Sequence, residues 1–393
     1  MDKLSQIPIA VAHSTGGLVA GPKIDLVCSA CVGDPDVKGW IREQGGPRGC
    51  DACGGYDSPT VELDELCKYL EECLSSFWGF ADDQLPYESA EGGYQGTTWM
   101  TSELVFEDVG LELPRDHNDR LYYALSLGLD DRLWCDYDWL RLDDDVALRM
   151  SWETFCETIK YKRRFFFHER GGRKDDPDSF SHVGLLKAIS RLCDELGLVT
   201  DLPAGTVLYR ARAKIPRGTP LGAAIFGPPP PEFALQTNRM NPPGIPMFYG
   251  TEAARTAVRE IRRRSAKVGK FRLNRPLRIL DLARLPEIPG IWANPDRRRR
   301  LGLRFLHEFT DAIMQPVAGN DRANVDYIPS QVVTEYFRDF AFAGGKLDGI
   351  RFPSTLDPRG RNVVLFIESV VPAMGPAAPP APLDFVSWRR ISV

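Results

Sequence analysis

The spacing of apolar residues predicts a helical first half. Between residues 63 and 77, apolar side chains recur at intervals of three and four, which is the period of one helix face. Ser58 followed by Pro59 has the form of a helix start, with a capping side chain and proline in the first turn. The same periodicity predicts further helices at 119–127, 146–161 and 181–197.

The second half mixes two periods. Residues 206–212 alternate, so that Leu208, Arg210 and Arg212 share one face of a predicted strand. Short apolar runs predict further strands, and helical spacing returns between them. The strands are expected at 246–249, 277–282, 348–352 and 362–367, and the helices at 251–261, 295–313 and 330–340. The second half is thus predicted to contain both strands and helices.

Charge divides the chain near residue 200. Residues 1–200 carry 20 basic and 37 acidic side chains, whereas residues 201–393 carry 29 basic and 17 acidic ones. The acidic half opposes binding to nucleic acid, and the basic half suits a phosphate-bearing ligand or RNA. We therefore predict four segments: an arm with a cysteine module (1–57), an acidic helical domain (58–200), an α+β domain (201–370) and a Pro/Ala-rich tail (371–393).

Composition bears on the compartment. No run of about 18 apolar residues occurs, so we predict no membrane span. Only Lys3 precedes the apolar residues 7–12, which is too weak a pattern for a signal peptide. Nine cysteines, an odd number, argue against a disulfide scaffold and for a reducing compartment. We expect a cytoplasmic protein.

Four of the cysteines form two pairs with metal-ligand spacing. Cys28 and Cys31 make one Cys-x-x-Cys pair, and Cys50 and Cys53 make another, with 18 residues between the pairs. Two such turns can place four thiolates around one zinc ion. The alternative is four buried free thiols. No histidine lies nearby to suggest a catalytic metal, so we predict a structural zinc that stabilises a module too small to bury a core alone.

One stretch of the second half has the features of a ligand cleft. Proline and glycine at 242–246 predict a turn, Gly250 ends a short aromatic strand, and Thr251 is a candidate cap for the next helix. The apolar stripe of that helix leaves Glu260 about 120° away, so this carboxylate need not be buried with the stripe. A turn, a strand end and an off-stripe carboxylate together indicate a cleft.

The same residues resemble a known family. Arg-Met-Asn-Pro-x-Gly from Arg239, then Phe-Tyr-x-Thr, then Thr-Ala-x-x-Glu ending at Glu260, resemble the core of RES domains. This family occurs in bacterial toxin–antitoxin systems and is related in fold to ADP-ribosyltransferases. The resemblance covers 203–370 and implies an ADP-ribosyltransferase-like mixed β-sheet with helices towards the C-terminus, and NAD⁺ as substrate.

The resemblance also implies roles for individual residues, and their chemistry agrees. The guanidinium of Arg210, with Arg239 as a second candidate, suits a pyrophosphate. The ring of Tyr249 suits a cationic pyridinium, and Glu260 suits the oxocarbenium-like state formed as an N-glycosidic bond breaks. Ser330 matches the serine of a Tyr-x-Pro-Ser/Thr-Gln motif, and we predict that it caps its helix and orients ribose or phosphate.

The first half resembles the HEPN-like domain often found before RES domains. That resemblance rests on the cysteine pairs, on the acidic helical region, and on Arg163 followed by His168, a spacing similar to the Arg-x4–6-His motif of HEPN ribonucleases. A nuclease role for Arg163 and His168 competes with a packed helix end. The acidic surroundings and three consecutive phenylalanines at 165–167 favour the packed helix end.

Three functional hypotheses follow. The first is a growth-arresting or antiphage effector that cleaves the nicotinamide–ribose bond of NAD⁺ by hydrolysis or phosphorolysis. The second is an ADP-ribosyltransferase that modifies a specific macromolecule, and the third is a non-catalytic module that binds a partner through its zinc and helical parts. The expected partners are NAD⁺ and an antitoxin or regulatory protein; homo-oligomerisation stays open. A proline loop at 220–236 lengthens the stretch between Arg210 and Tyr249 relative to compact RES toxins.

Overall fold

The computed structural model describes residues 23–116, 118–138, 140–166, 178–315, 322–340, 342–370 and 381–393. Several features predicted from the sequence fall outside these residues. They are the arm at 1–22, His168 of the Arg163/His168 pair, and most of the Pro/Ala-rich segment at 371–382. Contacts divide the chain into two compact units, Met1–Trp139 with Gly290–Pro295, and Leu140–Pro289 with Asp296–Val393.

The first unit is built from short elements around a main apolar core, with a smaller cluster of Ala81, Leu85 and Cys135 beside it in the described chain. Its longest helix, α2 (Leu63–Ser75), places Leu66, Leu70 and Leu74 at the helical period, and all three are fully buried. The segment contributed by residues 290–295 brings Trp292 into the same core. The helices are α1 (Pro35–Gln44), α2 (Leu63–Ser75), α3 (Ala81–Gln84), α4 (Thr101–Glu103) and α5 (Arg120–Gly128). The strands are β1 (Leu26–Cys28), β2 (Thr60–Glu62), β3 (Trp78–Phe80), β4 (Tyr87–Glu88), β5 (Gly93–Tyr94), β6 (Trp99–Met100) and β7 (Leu133–Asp136).

The second unit is α+β and holds the large sheet. Its helices are α6 (Asp144–Tyr161), α7 (His182–Glu195), α8 (Ala223–Phe226), α9 (Ala254–Glu260), α10 (Arg297–Met314), α11 (Ala323–Asp326) and α12 (Ile328–Asp339). Its strands are β8 (Val199–Leu202), β9 (Val207–Arg212), β10 (Phe248–Thr251), β11 (Ser265–Leu273), β12 (Leu277–Asp281), β13 (Gly349–Pro353), β14 (Arg361–Leu365) and β15 (Leu383–Ser392).

Among the described residues, these eight strands form one mixed sheet in the order β15-β11-β9-β10-β14-β13-β12-β8. β12 and β13 run parallel, and the other neighbours are antiparallel. β10 lies between β9 and β14, and its Thr251 is opposite both Tyr209 and Asn362. The helix α9 follows β10 after two residues, so the sheet centre carries the predicted site residues of β9 and β10, with α9 next to them.

The helices α6 and α7 pack in the core of the second unit. Their buried residues include Trp152, Phe155 and Ile189, which share one apolar cluster with Phe309 of α10 and Phe337 of α12. The charge change near residue 200 therefore does not coincide with a change of compact unit, which lies between Trp139 and Leu140. Charge is set by exposed side chains, whereas the units are set by which apolar faces meet.

Three predicted helix starts differ from the structure. After Ser58 and Pro59 the chain forms β2, and α2 begins only at Leu63. The helix after Thr251 begins at Ala254, and the Thr251 hydroxyl donates to the carbonyl of Ala253 instead of capping. Ser330 lies within the first turn of α12 and does not precede it. Local propensity identified these helices, but their first residues depend on neighbouring strands and turns.

Within the described residues, no helix is both long enough and apolar enough to cross a membrane.

Candidate functional site

A cavity of about 790 Å³ opens in the second unit where β9, β10 and α9 meet. The loop at 229–241 forms one of its walls. Four residues singled out in the sequence line this cavity: Arg210, Arg239, Tyr249 and Glu260. A basic group, an acid and aromatic rings in one concave surface are the composition expected of a ligand site.

Arg210 is half-buried and has no counter-ion among the described residues. It lies on β9 with its guanidinium carbon 5.5 Å from the centre of the Phe248 ring. Its Nη1 atom is buried and has no hydrogen-bond partner among the described residues. Burial, with the positive charge of Arg212 adding to it, lowers the pKa of Arg210 to about 9. A buried guanidinium without a partner costs free energy, and an anionic ligand in the cavity would remove that cost.

The other two arginines at the cavity are already engaged. Arg212 donates from Nε to the carbonyl of Ile225 at 2.9 Å and from Nη2 to that of Gly227 at 2.7 Å. Arg239 donates from Nη1 to the carbonyls of Ile313 (3.0 Å) and Gln315 (2.9 Å), at the C-terminal end of α10. These carbonyls lack partners inside a helix, and a cation is stabilising there. Arg210 is thus the arginine of the three that is unengaged.

Glu260, the last residue of α9, is fixed by two donors. The hydroxyl of Ser354 donates to its Oε1 at 2.5 Å, and the Nδ2 of Asn362 donates to the same oxygen at 2.8 Å. In the described part of the chain no donor reaches Oε2 of Glu260. The carboxylate is therefore held in one orientation while its second oxygen stays available to a ligand hydroxyl.

A tight turn after β13 holds Ser354 in place. The backbone N–H groups of Leu356 and Asp357 donate to the Ser354 hydroxyl at 3.2 and 3.0 Å. The carboxylate of Asp357 accepts from the Thr256 hydroxyl at 2.6 Å and from Arg259 at 2.7 Å, and both donors lie on α9. The turn is thereby fastened to the helix that ends in Glu260, so its position and that of Glu260 are coupled.

Tyr249 presents its ring to the cavity and uses its hydroxyl elsewhere. The hydroxyl donates to Oδ1 of Asn241 at 2.6 Å and accepts from the N–H of Met240 at 3.1 Å. Burial raises the pKa of Tyr249, so the phenol stays protonated at neutral pH. The hydroxyl therefore holds the loop at 240–241, and the aromatic face is the part of Tyr249 that a ligand can contact.

Ser330 does not line this cavity. Its hydroxyl bonds to the carbonyls of Arg239 and Tyr327, and it borders a separate cavity of about 450 Å³. The neighbouring Gln331 also reaches the loop beside the larger cavity, through its Nε2 atom at 2.7 Å from the carbonyl of Asn238. Ser354 is the serine in contact with Glu260.

Reasoning from sequence overlooked Ser354, Asn362 and Gln331. A usable signal was present at Ser354, because a serine hydroxyl accepts from backbone N–H groups a few residues further on and therefore favours a turn. Asn362 and Gln331 gave no comparable signal, since their contacts join residues about 90 to 100 positions apart.

The predicted cysteine set comes together in the first unit. The Sγ atoms of Cys28, Cys31, Cys50 and Cys53 all lie within 4.8 Å of one another. The Sγ separations are 3.6 Å for Cys28–Cys31, 3.7 Å for Cys28–Cys53 and 3.7 Å for Cys31–Cys50. A tetrahedron with Zn–S bonds of about 2.3 Å has edges of about 3.8 Å. The cluster is compatible with zinc.

Hydrogen bonds in the cluster stabilise the thiolate of Cys50, whereas burial raises the pKa of Cys28 and the hydrogen bond with Cys50 raises the pKa of Cys31. The N–H of Cys28 donates to the sulfur of Cys50 at 3.3 Å. A hydrogen bond from Cys31, followed by backbone N–H donors, lowers the pKa of Cys50. Gly54, which follows the second pair, has φ of +72°, a conformation that glycine adopts at little cost. The donor set fits a metal held by sulfur.

Comparison with known proteins identifies the chain. A family model described as the RES domain matches residues 207–385, and one described as HEPN/RES N-terminal domain 1 matches residues 43–172. Searches of the curated proteins and of the solved structures found no match. The protein is therefore a RES domain protein with an N-terminal HEPN-like domain. The RES-domain match contains all the residues that line the cavity at β9, β10 and α9.

The family assignment carries functional information at a coarse level. The RES domain supports a toxin–antitoxin-type effector, is associated with NAD-related enzymatic activity, and suggests NAD⁺ as a substrate. The family is also linked to antitoxin partners.

Proposed function

We propose that this protein consumes NAD⁺ by cleaving its nicotinamide–ribose bond and thereby arrests growth. We also propose that the second unit, which contains the cavity, has an ADP-ribosyltransferase-like fold. The observation that carries the proposal is the pairing, in one cavity, of a half-buried Arg210, whose buried Nη1 atom has no partner among the described residues, with a fixed carboxylate at Glu260. An anion-binding group and an acid with one free oxygen are what a pyrophosphate-bearing riboside requires.

Arg210 binds the pyrophosphate in this proposal. The charge of the ligand compensates the buried guanidinium, and its oxygens accept from the Nη1 atom that has no partner among the described residues. Arg239 lies at the same cavity with its guanidinium 5.7 Å from the centre of the Tyr327 ring. Because Nη1 of Arg239 is bonded to two carbonyls, we assign it a supporting role and Arg210 the principal one.

Glu260 stabilises the reacting ribose in this proposal. As the bond between ribose C1′ and nicotinamide N1 breaks, its electron pair moves to the ring nitrogen and neutralises the pyridinium. The ribose carbon becomes oxocarbenium-like, and the nearby carboxylate stabilises that positive charge. When water is the acceptor, its oxygen bonds to C1′ and releases a proton to solvent; when phosphate is the acceptor, an unprotonated phosphate oxygen bonds to C1′ and no proton is released. Ser354 and Asn362 keep the carboxylate oriented throughout.

Tyr249 supplies an aromatic face for the nicotinamide ring, because a cationic pyridinium is attracted to the electron-rich face of an aromatic ring. Ser330 has a different role from the one its motif implies. Its hydroxyl ties the carbonyl of Arg239 to the start of α12, so we assign it to positioning Arg239 instead of contacting NAD⁺.

We also propose that the first unit holds one structural zinc through Cys28, Cys31, Cys50 and Cys53. The sulfur separations fit a tetrahedral site, and all four ligand positions are filled by protein thiolates. A site without an open position has no place for a substrate, so the metal would stabilise the unit and take no part in the reaction.

The test incubates the purified chain with NAD⁺ and measures free nicotinamide together with the ribose product. We expect nicotinamide release with ADP-ribose in plain buffer, and ADP-ribose 1″-phosphate when phosphate is the acceptor. If NAD⁺ labelled in its ADP-ribose part instead transfers that label to an added protein or nucleic acid, the result would favour a macromolecular transferase. Absence of nicotinamide under all acceptor conditions would overturn the proposal and favour the binding-module hypothesis.

A further inference from the structure

Two large apolar side chains stand exposed on the wall of the cavity. Phe233 is 69% exposed and Leu235 is 74% exposed, and both line the cavity that contains Arg210. They flank Ala234, which is only 5% exposed. Exposed apolar residues are ordinary when scattered singly, but two at the lining of one ligand cavity indicate a contact surface.

The backbone holds both side chains in place. The N–H of Ala234 donates to the carbonyl of Pro231 at 3.1 Å, and the carbonyl of Ala234 accepts from the N–H of Gly244 at 2.8 Å. The N–H of Phe233 donates to the carbonyl of Pro230 at 2.9 Å. With Ala234 fixed on both sides and directed inwards, its two neighbours are kept at the surface.

The two ends of this segment are also fastened. Arg212 of β9 holds the carbonyls of Ile225 and Gly227 before it. After it, the Nε2 of Gln331 lies 2.9 Å from the Thr237 hydroxyl and 2.7 Å from the carbonyl of Asn238. The segment is therefore a preformed wall, and apolar groups presented by a fixed wall lose little entropy when a ligand covers them.

We propose that Phe233, assisted by Leu235, forms the subsite for the adenine ring of the dinucleotide. The inference rests on the proposed function, because it takes the pyrophosphate at Arg210 as the fixed point of the ligand. The dinucleotide extends in two directions from its pyrophosphate at Arg210. The half that carries the nicotinamide ribose extends towards Glu260. The other half ends in a flat apolar base, and the exposed ring of Phe233 offers a matching face in the same cavity.

The chemistry of a purine explains why this wall is aromatic and apolar. Every base has a π-face that stacks on an aromatic ring, and this stacking is sequence-tolerant because it uses no base-edge hydrogen bond. Leu235 would cover the edge of the stacked base and exclude water from it. The subsite belongs to the loop at 229–241, so it would set how strongly the enzyme prefers a dinucleotide over a mononucleotide.

The experiment compares two substrates that differ only in the adenosine half. Nicotinamide mononucleotide keeps the scissile bond and one phosphate but has no adenine. For Phe233→Ala in the full chain, we expect kcat/KM for NAD⁺ to fall about 10-fold, within the roughly 5- to 150-fold range of a lost base–aromatic stack. The value for nicotinamide mononucleotide should stay within about 2-fold, because no adenine contact is lost. Phe233→Trp, which keeps an aromatic face, should retain the wild-type preference for NAD⁺ over nicotinamide mononucleotide.

A binding measurement separates this inference from the proposed reaction. Calorimetric titration with AMP should show a dissociation constant about 10-fold weaker in Phe233→Ala than in wild type, and ribose 5-phosphate should bind both proteins equally. The control is Phe165→Ala, which removes a phenylalanine that is 96% exposed and does not line the cavity.

The outcomes are distinct. Equal losses for NAD⁺ and nicotinamide mononucleotide, or AMP affinity unchanged in Phe233→Ala, would overturn the adenine subsite while leaving nicotinamide release intact. AMP binding that depends on Phe233, in a protein that releases no nicotinamide, would support the subsite and overturn the proposed reaction.

Discussion

Replacing Arg210 by methionine should stabilise the ligand-free protein while abolishing tight ligand binding. Arg210 is half-buried, its buried Nη1 has no partner among the described residues, and its guanidinium carbon lies 5.5 Å from the centre of the Phe248 ring. Methionine fills much of the same volume without a charge and adapts to irregular space. The substitution thus removes the cost of a buried unpaired cation and also removes the group that we assign to the pyrophosphate.

The size of the gain follows from the pKa of Arg210. Burial lowers it from 12.5 to about 9, which corresponds to a charging cost of about 5 kcal/mol at about 1.4 kcal/mol per pKa unit. The folded-state pKa lies below the unfolded-state one, so the full cost applies at every pH below about 9. Water entry and relaxation reduce it, and we expect a gain in unfolding free energy of about 1–3 kcal/mol. That raises Tm by about 2–10 °C.

Arg212→Met is the matched control, because it removes the same side chain from the same strand with the opposite expected sign. Arg212 satisfies the carbonyls of Ile225 and Gly227, so its loss should lower the unfolding free energy by about 1.5–3 kcal/mol. Thermal unfolding at pH 7 measures both variants without ligand. Calorimetric titration with ADP-ribose, which keeps the pyrophosphate, should show binding at least about 30-fold weaker in Arg210→Met.

Two results would refute this reasoning. If Arg210→Met lowers Tm as much as Arg212→Met does, the guanidinium is not an uncompensated charge in the free protein. If ADP-ribose binds Arg210→Met as tightly as wild type, the pyrophosphate lies elsewhere.

Three further predictions concern the metal, the tyrosine and the unit boundary. Elemental analysis should find about one zinc per chain in the wild type and none in Cys28→Ser. Cys135→Ser should keep the zinc, because this buried cysteine lies outside the cluster. Wild-type protein without zinc would contradict the assignment of the four-cysteine cluster to a metal site. Tyr249→Phe should lower the unfolding free energy by about 1–3 kcal/mol, because the N–H of Met240 loses its acceptor. It should nevertheless retain more NAD⁺ turnover than Tyr249→Ala, which also loses the ring. Equal turnover in the two variants would contradict a stacking role. A chain starting at Leu196 should be insoluble because it lacks α6 and α7, which contribute to the apolar core of the second unit. A chain starting at Leu140 keeps both helices and should give more soluble protein in a quantitative expression assay. Equal yields of soluble protein would contradict the role of α6 and α7 in the core.

Local patterns were enough to predict the elements that carry the site. Alternation at 206–212 placed Arg210 and Arg212 on one strand, and a helix was expected where α9 is found. Both predictions use only neighbouring residues, whose spacing fixes which side chains share a face. The cysteine pairs are similar, since Cys-x-x-Cys spacing alone brings two sulfurs to one turn.

Contacts between distant residues could not be predicted in the same way. Ser354 meets Glu260 across 94 positions, through a turn that is fastened to α9 by Asp357. Likewise, α6 shares a core with α10 although charge placed the two helices in different halves. Which apolar faces and turns meet depends on the whole sheet, and a residue count along the chain does not contain that information.

The most direct measurement of the central claim separates binding from chemistry at Glu260. Glu260→Gln keeps the size and an acceptor for Ser354 and Asn362 but loses the negative charge. Nicotinamide release should fall about 10²–10⁴-fold, while the dissociation constant for ADP-ribose changes by less than about 3-fold. Glu308→Gln, at a half-exposed carboxylate on α10 outside the cavity, should match wild type in both assays. Nicotinamide release by Glu260→Gln at the wild-type rate would contradict the assignment of this cavity to cleavage of NAD⁺.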